Sequence, residues 1–260
     1  MKIDAFPPKN LNPILSKVTQ MATLQALHLL EMPVRKIPGS IMEPFIRKQL
    51  QRGIDHIDGV DFVMKVIHEL RSQWGRFAPN VRKRFMENFF GHMMLLSQDK
   101  YERAREQFGD FPLLMVVSPT MRCNLKCEGC YSANYDREDA IDTATFDRIL
   151  TEAKELGIHF VVISGGEPFI RDDLMDMFEK HSDILFLTYT NGTYIYDNKL
   201  APRLAELGNC MPCISVEGFS EETDHRRGKG TFNKIVGAMS ALREEGVMFG
   251  FSATPMRSNN

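Results

Sequence analysis

Between residues 111 and 254 short apolar runs alternate with longer amphipathic stretches. The runs at 112–119 (PLLMVVSP), 159–164 (HFVVIS), 184–190 (ILFLTYT), 212–217 (PCISVE) and 248–254 (MFGFSAT) have the length and composition of buried strands. Asp142 stands as an N-cap before a helix whose apolar positions are Phe146, Ile149, Leu150, Ala153 and Leu156, with Gly157 ending it. A short helix is predicted over 172–181 and another over 198–207, stopped by Gly208. The last, over 231–245, lines up Phe232, Ile235, Val236, Met239 and Leu242 and ends at Gly246. Such βα alternation predicts parallel strands joined by right-handed crossovers, with helices outside. Five strands and four helices are too few for a closed eight-stranded barrel. The expected fold class is therefore α/β, as a partial (βα) barrel or, alternatively, a doubly wound sheet. In either, ligands collect at the C-terminal ends of the strands.

Residues 1–110 have a different texture and read as a helical N-terminal extension to the α/β unit at 111–260. Pro7, Pro8 and Pro13 break the first stretch, and Pro33, Pro38 and Pro44 interrupt the chain after the apolar run 24–30. Asp58 caps an amphipathic segment with Val60, Val63, Met64, Ile67 and Leu70 at helical spacing. Pro79 opens a further helix in which Phe85, Phe89, Met93 and Leu96 share a face. Its apolar run, 89–96, is short and reads as a helix packed on the rest of the protein, with a membrane-touching helix as the alternative.

Composition narrows the function classes. With Lys+Arg 32 against Asp+Glu 34, the net charge of −2 gives no electrostatic case for nucleic acid as a partner. No run of about 18 apolar residues is present to span a membrane, and the N-terminus lacks the apolar core of a signal peptide. Cysteine numbers 5, an odd count with three in one cluster, which reads as metal chemistry in a reducing, cytoplasmic setting rather than a disulfide framework.

That cluster is Cys123, Cys127 and Cys130, spaced C-x3-C-x2-C directly after the first predicted strand. Thiolates suit iron–sulfur clusters or zinc, but a structural zinc wants four closed ligands, and no histidine lies within the loop. Three thiolates on a cubane cluster leave one iron open for a ligand. The other strand ends are polar or glycine-rich: Ser164-Gly165-Gly166-Glu167-Pro168, Thr190-Asn191-Gly192 and Ser215-Val216-Glu217-Gly218. Gly165 and Gly166 permit close approach to a ligand, Glu167 can accept from a cationic amine, and Pro168 stiffens the exit.

The cysteine loop followed one βα unit later by Gly-Gly-Glu-Pro resembles the radical S-adenosylmethionine (radical SAM) superfamily. The strand-end motifs above and Arg227-Gly228-Lys229-Gly230-Thr231-Phe232 extend the resemblance towards its maturase-type members. The resemblance implies a [4Fe–4S] cluster on Cys123, Cys127 and Cys130, with S-adenosylmethionine chelated to the open iron. It implies methionine contacts from Gly165, Gly166 and Glu167 with Pro168 and Asn191 alongside, ribose or methionyl contacts from Ser215 and Glu217, and a carboxylate partner in Arg227. Tyr131 follows the third cysteine, whereas Gly129 stands where the family usually has an aromatic residue, so Tyr131 is the candidate for adenine packing. The implied activity is reductive cleavage of S-adenosylmethionine to a 5′-deoxyadenosyl radical, which abstracts hydrogen from a peptide, a cofactor precursor or a lipid. An electron donor such as flavodoxin or ferredoxin is implied as a partner. The family core has a sixth strand, so a radical SAM core truncated after strand five is expected here.

Other residues read differently. Cys210 and Cys213 have C-x2-C spacing but sit at a strand, where free cysteine behaves as a small hydrophobe. Arg226, Arg227 and Lys229 form a basic run in an expected loop, with His225 as an exposed loop histidine. Tyr189 fits a site or a core equally. The rival reading of the whole is a non-catalytic module holding zinc or a structural cluster, or an inactive truncated paralogue. A structural metal site needs neither the Gly-Gly-Glu-Pro turn nor the Ser-x-Glu-Gly strand end.

Overall fold

A computed structural model of the chain describes residues 65, 68, 69, 72–136 and 140–254. The expectations for residues 1–64, and for Ile67 and Leu70 of the amphipathic segment, lie outside the described residues. The α/β part is one sheet of five parallel strands: β1 (Met115–Val117), β2 (Phe160–Ile163), β3 (Leu185–Thr190), β4 (Cys210–Ser215) and β5 (Gly250–Ser252). Their spatial order is the chain order. A doubly wound sheet reverses its order at a switch point, and none occurs here, so the sheet advances in one direction as a partial barrel.

Strand alternation divides the sheet into two faces. Val161, Ile163, Phe186 and Ile214 point to the helices, where they join Phe146, Leu150, Phe178, Leu204, Ile235 and Leu242 in the main core. Fully burying each of these large side chains contributes about 2–3 kcal/mol. The helices that supply them include α3 (Thr143–Glu155), α4 (Leu174–Lys180), α6 (Ala201–Leu207) and α8 (Thr231–Glu244). Asp142 caps α3 as expected, its Oδ1 accepting from Thr145 N at 2.8 Å.

The structure departs from the sequence reading in several places. β1 is short, and Val116 is 61% exposed, because an edge strand has one neighbour and no second layer over this position. Val236, expected on the buried face of α8, is exposed, and Ala238 takes its place beside Ile235 and Leu242. α5 (Thr193–Asp197) is an element the pattern does not predict; its TYIYD sequence has weak helix propensity, and it is held by packing, with the Tyr196 ring filling the space where Gly237 of α8 lacks a side chain. α7 (Ser220–Arg227) stands where a loop is expected, because it is polar throughout, with only Thr223 buried. Its end charges mark it as a helix, Glu221 and Glu222 in the first turn and His225, Arg226 and Arg227 in the last, as the macrodipole favours.

The helical segment before the sheet runs across its base. α1 (Pro79–Phe85) continues into a π-helix, Met86–Leu96, and then α2 (Gln98–Phe108). The π-helix replaces the expected α-helical turns; Ser97 N donates to His92 O five residues back at 3.1 Å. Phe85 stacks on Phe89 at 5.3 Å, and Trp74, Phe85 and Met86 pack with Leu185 and Met248, against which Phe160 and Met211 also lie. This is the packed helix that the sequence suggested. The segment also ties down the turns that lead into β5, β4, β3 and β2, one after another. Ala78 N donates to Gly246 O at 2.9 Å, Asn80 Nδ2 to Glu206 O at 2.9 Å and Asn88 Nδ2 to Ser182 O at 3.0 Å. His92 then stacks on His159 at 4.8 Å, and Lys100 Nζ donates to Lys154 O at 3.0 Å.

The stacked histidines make this junction acid-sensitive. Burial lowers both pKa values, His159 to about 4, against the opposing pull of Asp183 on both and Glu87 on His92; Lys100 and Lys154 reinforce the lowering at His92 and Lys100 does so at His159. The unfolded chain binds these protons near pH 6.5 and the folded chain only at lower pH, so the contribution is present above about 6.5 and is lost as pH falls towards 4. The urea midpoint should drop between pH 7 and 5, and His159→Gln should flatten that drop; an equal drop in the variant would place the sensitivity elsewhere.

Candidate active site

The three cysteines lie on the loop after β1, at the C-terminal edge of the sheet, half-buried and in no disulfide. Each sulfur has its own surroundings. Cys123 Sγ accepts from Leu125 N at 3.4 Å and faces Asn191 Nδ2 at 3.8 Å. Burial pushes the Cys123 and Cys127 thiols up, with Arg227 opposing the shift at Cys127. Burial would also raise Cys130, but the Ser132 hydroxyl, 3.0 Å from its Sγ, and the Ser132 and Ala133 amides outweigh it and hold that thiol below its ordinary value. Gly129, at φ +65°, lets the chain turn between Cys127 and Cys130.

The Gly-Gly-Glu-Pro turn after β2 is laced to this loop. Ser164 N donates to Val117 O at 2.9 Å, Gly166 N to Thr120 O at 2.9 Å and Glu167 N to Arg122 O at 2.7 Å. A Cβ on Gly166 would stand 2.1 Å from the Arg122 carbonyl oxygen. The close approach that glycine permits here is between two protein backbones, where the sequence suggested approach to a ligand. Gly166→Ala should therefore cost about 3 kcal/mol in urea unfolding, while Gly250→Ala, with open space around it, should stay within about 0.5 kcal/mol. Equal midpoints for the two variants would contradict this packing. Tyr131, half-exposed on the 3-10 turn Tyr131–Asn134, braces the same turn. Its hydroxyl accepts from Gly165 N at 3.1 Å and lies 3.1 Å from Ser164 Oγ and 3.2 Å from Gly165 O.

Glu167 is turned inward. Its side chain is fully buried, with Oε1 accepting from Thr190 Oγ1 at 2.8 Å and Phe169 N at 3.2 Å, and Oε2 from Asn191 N at 2.7 Å. Desolvation raises its pKa from 4.5 to about 7, against these hydrogen bonds. The carboxylate fastens the end of β2 to the end of β3 rather than standing open to an amine. Pro168 is buried and opens the next 3-10 turn, Pro168–Ile170. Asn191 extends the link to the cysteine loop: Nδ2 donates to Asn124 Oδ1 at 2.9 Å, while Oδ1 accepts from Thr193 N at 2.9 Å.

At the end of β4, Ser215 is half-buried and pairs in register with Ser252. Glu217 and Arg227, assigned from the resemblance to separate parts of a ligand, meet each other here. Glu217 is 4% exposed; its Oε1 accepts from Arg227 Nη2, and its Oε2 pairs with Arg226 Nη1 at 2.6 Å. Arg226 and His225 thus belong to α7 rather than a loop, with the Arg226 side chain turned inward and that of His225 exposed. A cavity of about 310 Å³ lies beside them, bordered by Asn124, Leu125, Arg227, Lys229 and Lys234.

One supporting residue escaped the sequence reading. Arg171 Nη1 donates to Pro119 O at 2.9 Å and Ile141 O at 2.6 Å, and Asp173 holds the guanidinium through Nη2 at 2.6 Å, so Arg171 pins both sides of the cysteine loop. Its only signal was an Arg-x-Asp immediately after the glycine turn. Cys210 remains outside the site, and Cys213 stands apart from it. Three residues apart on a strand, they point to opposite faces; Cys210 is in the helix-side core, where burial pushes its thiol up to about 12. Tyr189, 37% exposed, lies on the other face in register with Cys213, away from the core.

These elements define a parallel partial-barrel protein with three cysteine thiols and a glycine turn at its strand ends. Residues 117–255 match the family model of the radical SAM superfamily, and the chain belongs to that superfamily. It is 30% identical over 173 residues to Fe-coproporphyrin III synthase of Methanosarcina barkeri, covering 65% of this chain and 40% of that protein. It is 31% identical over 153 residues to mycofactocin maturase MftC of Mycolicibacterium smegmatis, covering 55% of this chain and 38% of that one. The crystal structure of Streptococcus suis SuiB bound to S-adenosylmethionine matches with a TM-score of 0.52 at 25% identity, covering 62% of this chain and 39% of SuiB. The chain thus spans about two fifths of the length of these relatives. The similarity is to maturase-like members, and the superfamily's cofactors are a [4Fe–4S] cluster and S-adenosylmethionine.

The residues fit such a cluster. Three half-buried cysteines in no disulfide lie on one loop, and their thiols sense one another's charge; a cubane binds each cysteine at a different iron and leaves one iron open. No helix among the described residues is long and apolar enough to cross a membrane.

Proposed function

We propose that this chain carries the cofactor-binding core of a radical SAM enzyme in which Cys123, Cys127 and Cys130 hold a [4Fe–4S] cluster. Gly165, Gly166, Pro168 and Tyr131 on one side, and Asn191, Ser215, Glu217 and Arg227 on the other, would hold S-adenosylmethionine at the open iron; Glu167 serves that site from within, by fixing the turn. The observation that carries the reading is the lacing of the glycine turn to a loop of three half-buried thiols at the strand ends. When bound, cluster and cofactor together supply a 5′-deoxyadenosyl radical that takes a hydrogen atom from the substrate.

The chain's own residues prepare that site. Leu125 N–H and the Asn191 amide stabilise negative charge on the Cys123 sulfur, Ser132 does so at Cys130, and Arg227 at Cys127. On the face of the sheet away from the helices, Val116, Val162 and Leu187 align in register below Tyr189, an apolar wall suited to holding a radical away from water. The substrate is a peptide or a tetrapyrrole, the classes suggested by the names of PqqA peptide cyclase and Fe-coproporphyrin III synthase among the relatives. The electron comes from a donor such as flavodoxin or ferredoxin in the cytoplasm.

Anaerobic reconstitution with iron and sulfide, followed by reduction with S-adenosylmethionine present, tests the reading. About four irons per chain and release of 5′-deoxyadenosine are expected. A protein that retains zinc and refuses iron would overturn it, and so would a fully loaded protein that never yields 5′-deoxyadenosine.

A further inference from the structure

The turn from Cys127 to Cys130 has little support of its own. Its internal hydrogen bond, Cys130 N to Cys127 O, is 3.4 Å long, and Glu128 and Gly129 are exposed. Its main anchor is the last turn of α7. Glu128 N donates to Arg226 O at 3.0 Å, and Arg226 Nε donates back to Glu128 O at 3.1 Å. The same guanidinium pairs through Nη1 with Glu217 Oε2 at 2.6 Å, and Glu217 is buried two residues past β4. A rigid path therefore runs from the sheet through Glu217 and Arg226 to the backbone between two cysteines.

We propose that Arg226 is a positioning residue that fixes the Cys127–Cys130 turn against the sheet and so determines how firmly those two cysteines hold their cluster. The proposal rests on the cluster reading above. It also has a part that does not, because the cluster-free protein already has the link. Arginine is required for a stated reason: its planar fork makes two contacts at once, an ion pair with Glu217 through Nη1 and a hydrogen bond to the Glu128 carbonyl through Nε. Lysine has a single ammonium and can keep the ion pair while losing the loop contact. The neighbouring Arg227 keeps Glu217 neutralised when Arg226 is changed, so the fold should survive substitution.

The test compares Arg226→Lys and Arg226→Gln with the wild type, using Arg148→Gln, an exposed change on α3, as control. In cluster-free protein, iodoacetamide alkylation of each cysteine is followed by mass spectrometry. In reconstituted protein, iron loss to a chelator is timed. Arg226→Lys, which keeps the positive charge, should alkylate at Cys127 and Cys130 about tenfold faster, as expected for losing one charge-assisted hydrogen bond, with Cys123 and the melting temperature unchanged; Arg226→Gln should do the same at Cys130 and less at Cys127, where the lost charge also disfavours the reactive thiolate. Both variants should lose iron about tenfold faster as well. Wild-type behaviour of Arg226→Lys in both measurements would mean that the ion pair suffices, and the proposal would be wrong. Equal acceleration at all three cysteines together with a lowered melting temperature would mean general loosening, and would also overturn it. If the wild type takes up no cluster, the function reading fails, while the alkylation pattern still decides the role of Arg226.

Discussion

Cys127→Ala should lose its iron. Under anaerobic reconstitution the wild type is expected to load about four irons per chain and the variant fewer than about one, because a cubane left with two protein thiolates is readily lost. The same outcome is expected for Cys123→Ala and Cys130→Ala, measured as iron and acid-labile sulfide per chain. Cys210→Ser provides the contrast. That thiol sits in the helix-side core with Thr188 Oγ1 at 3.4 Å, and replacing it should change stability without changing iron content. Full iron loading of Cys127→Ala would remove the ligand assignment.

The largest stability effect is expected at Glu167. Truncation to alanine leaves the Phe169 and Asn191 amides and the Thr190 hydroxyl without their acceptor in a dry interior. Glu167→Ala should cost about 3–5 kcal/mol in urea unfolding, as the loss of a buried hydrogen-bond network does. Iron uptake should fall with it, because Asn191 carries the link on to Asn124 in the cysteine loop. The pH dependence has a definite sign. The folded pKa of about 7 lies above the ordinary 4.5, so the favourable contribution is complete below about 4.5 and is lost as pH rises through 7. The advantage of wild type over Glu167→Gln should accordingly shrink between pH 5 and 8; an advantage that grows over that range would show that the carboxylate is stabilised as an anion. A cost below about 1 kcal/mol for the alanine variant would contradict the network itself.

The sheet was legible in the sequence because its strands are buried runs between glycine-ended helices. All five strand positions follow from that pattern, with ends shifted by at most three residues. β4 begins earlier than expected, at Cys210, and accommodates Pro212 because β5 joins β4 only from Cys213 onward. The strand-end motifs were equally visible, since glycine, cysteine and acidic residues gather at the close of successive strands. Side-chain direction was not. Whether Glu167 faces a ligand or the interior depends on Thr190 and Asn191, one βα unit away, and no local pattern encodes that meeting. The pairing of Glu217 with Arg226 and Arg227 was hidden for a different reason. It requires residues 220–227 to be helical, and a helix without an apolar stripe gives no periodic signal.

The helical segment beneath the sheet has a practical consequence for anyone trimming the protein. Phe160, Leu185, Met211 and Met248 belong to the strands and their leading turns, but their cover is Trp74, Phe85, Met86 and the neighbouring phenylalanines. A version started at residue 111, on the argument that the family match begins near there, would uncover a contiguous oily base and free the carbonyls of Ser182, Glu206 and Gly246. Such a surface invites self-association, so a shortened protein that precipitates would report a missing base and say nothing about its chemistry.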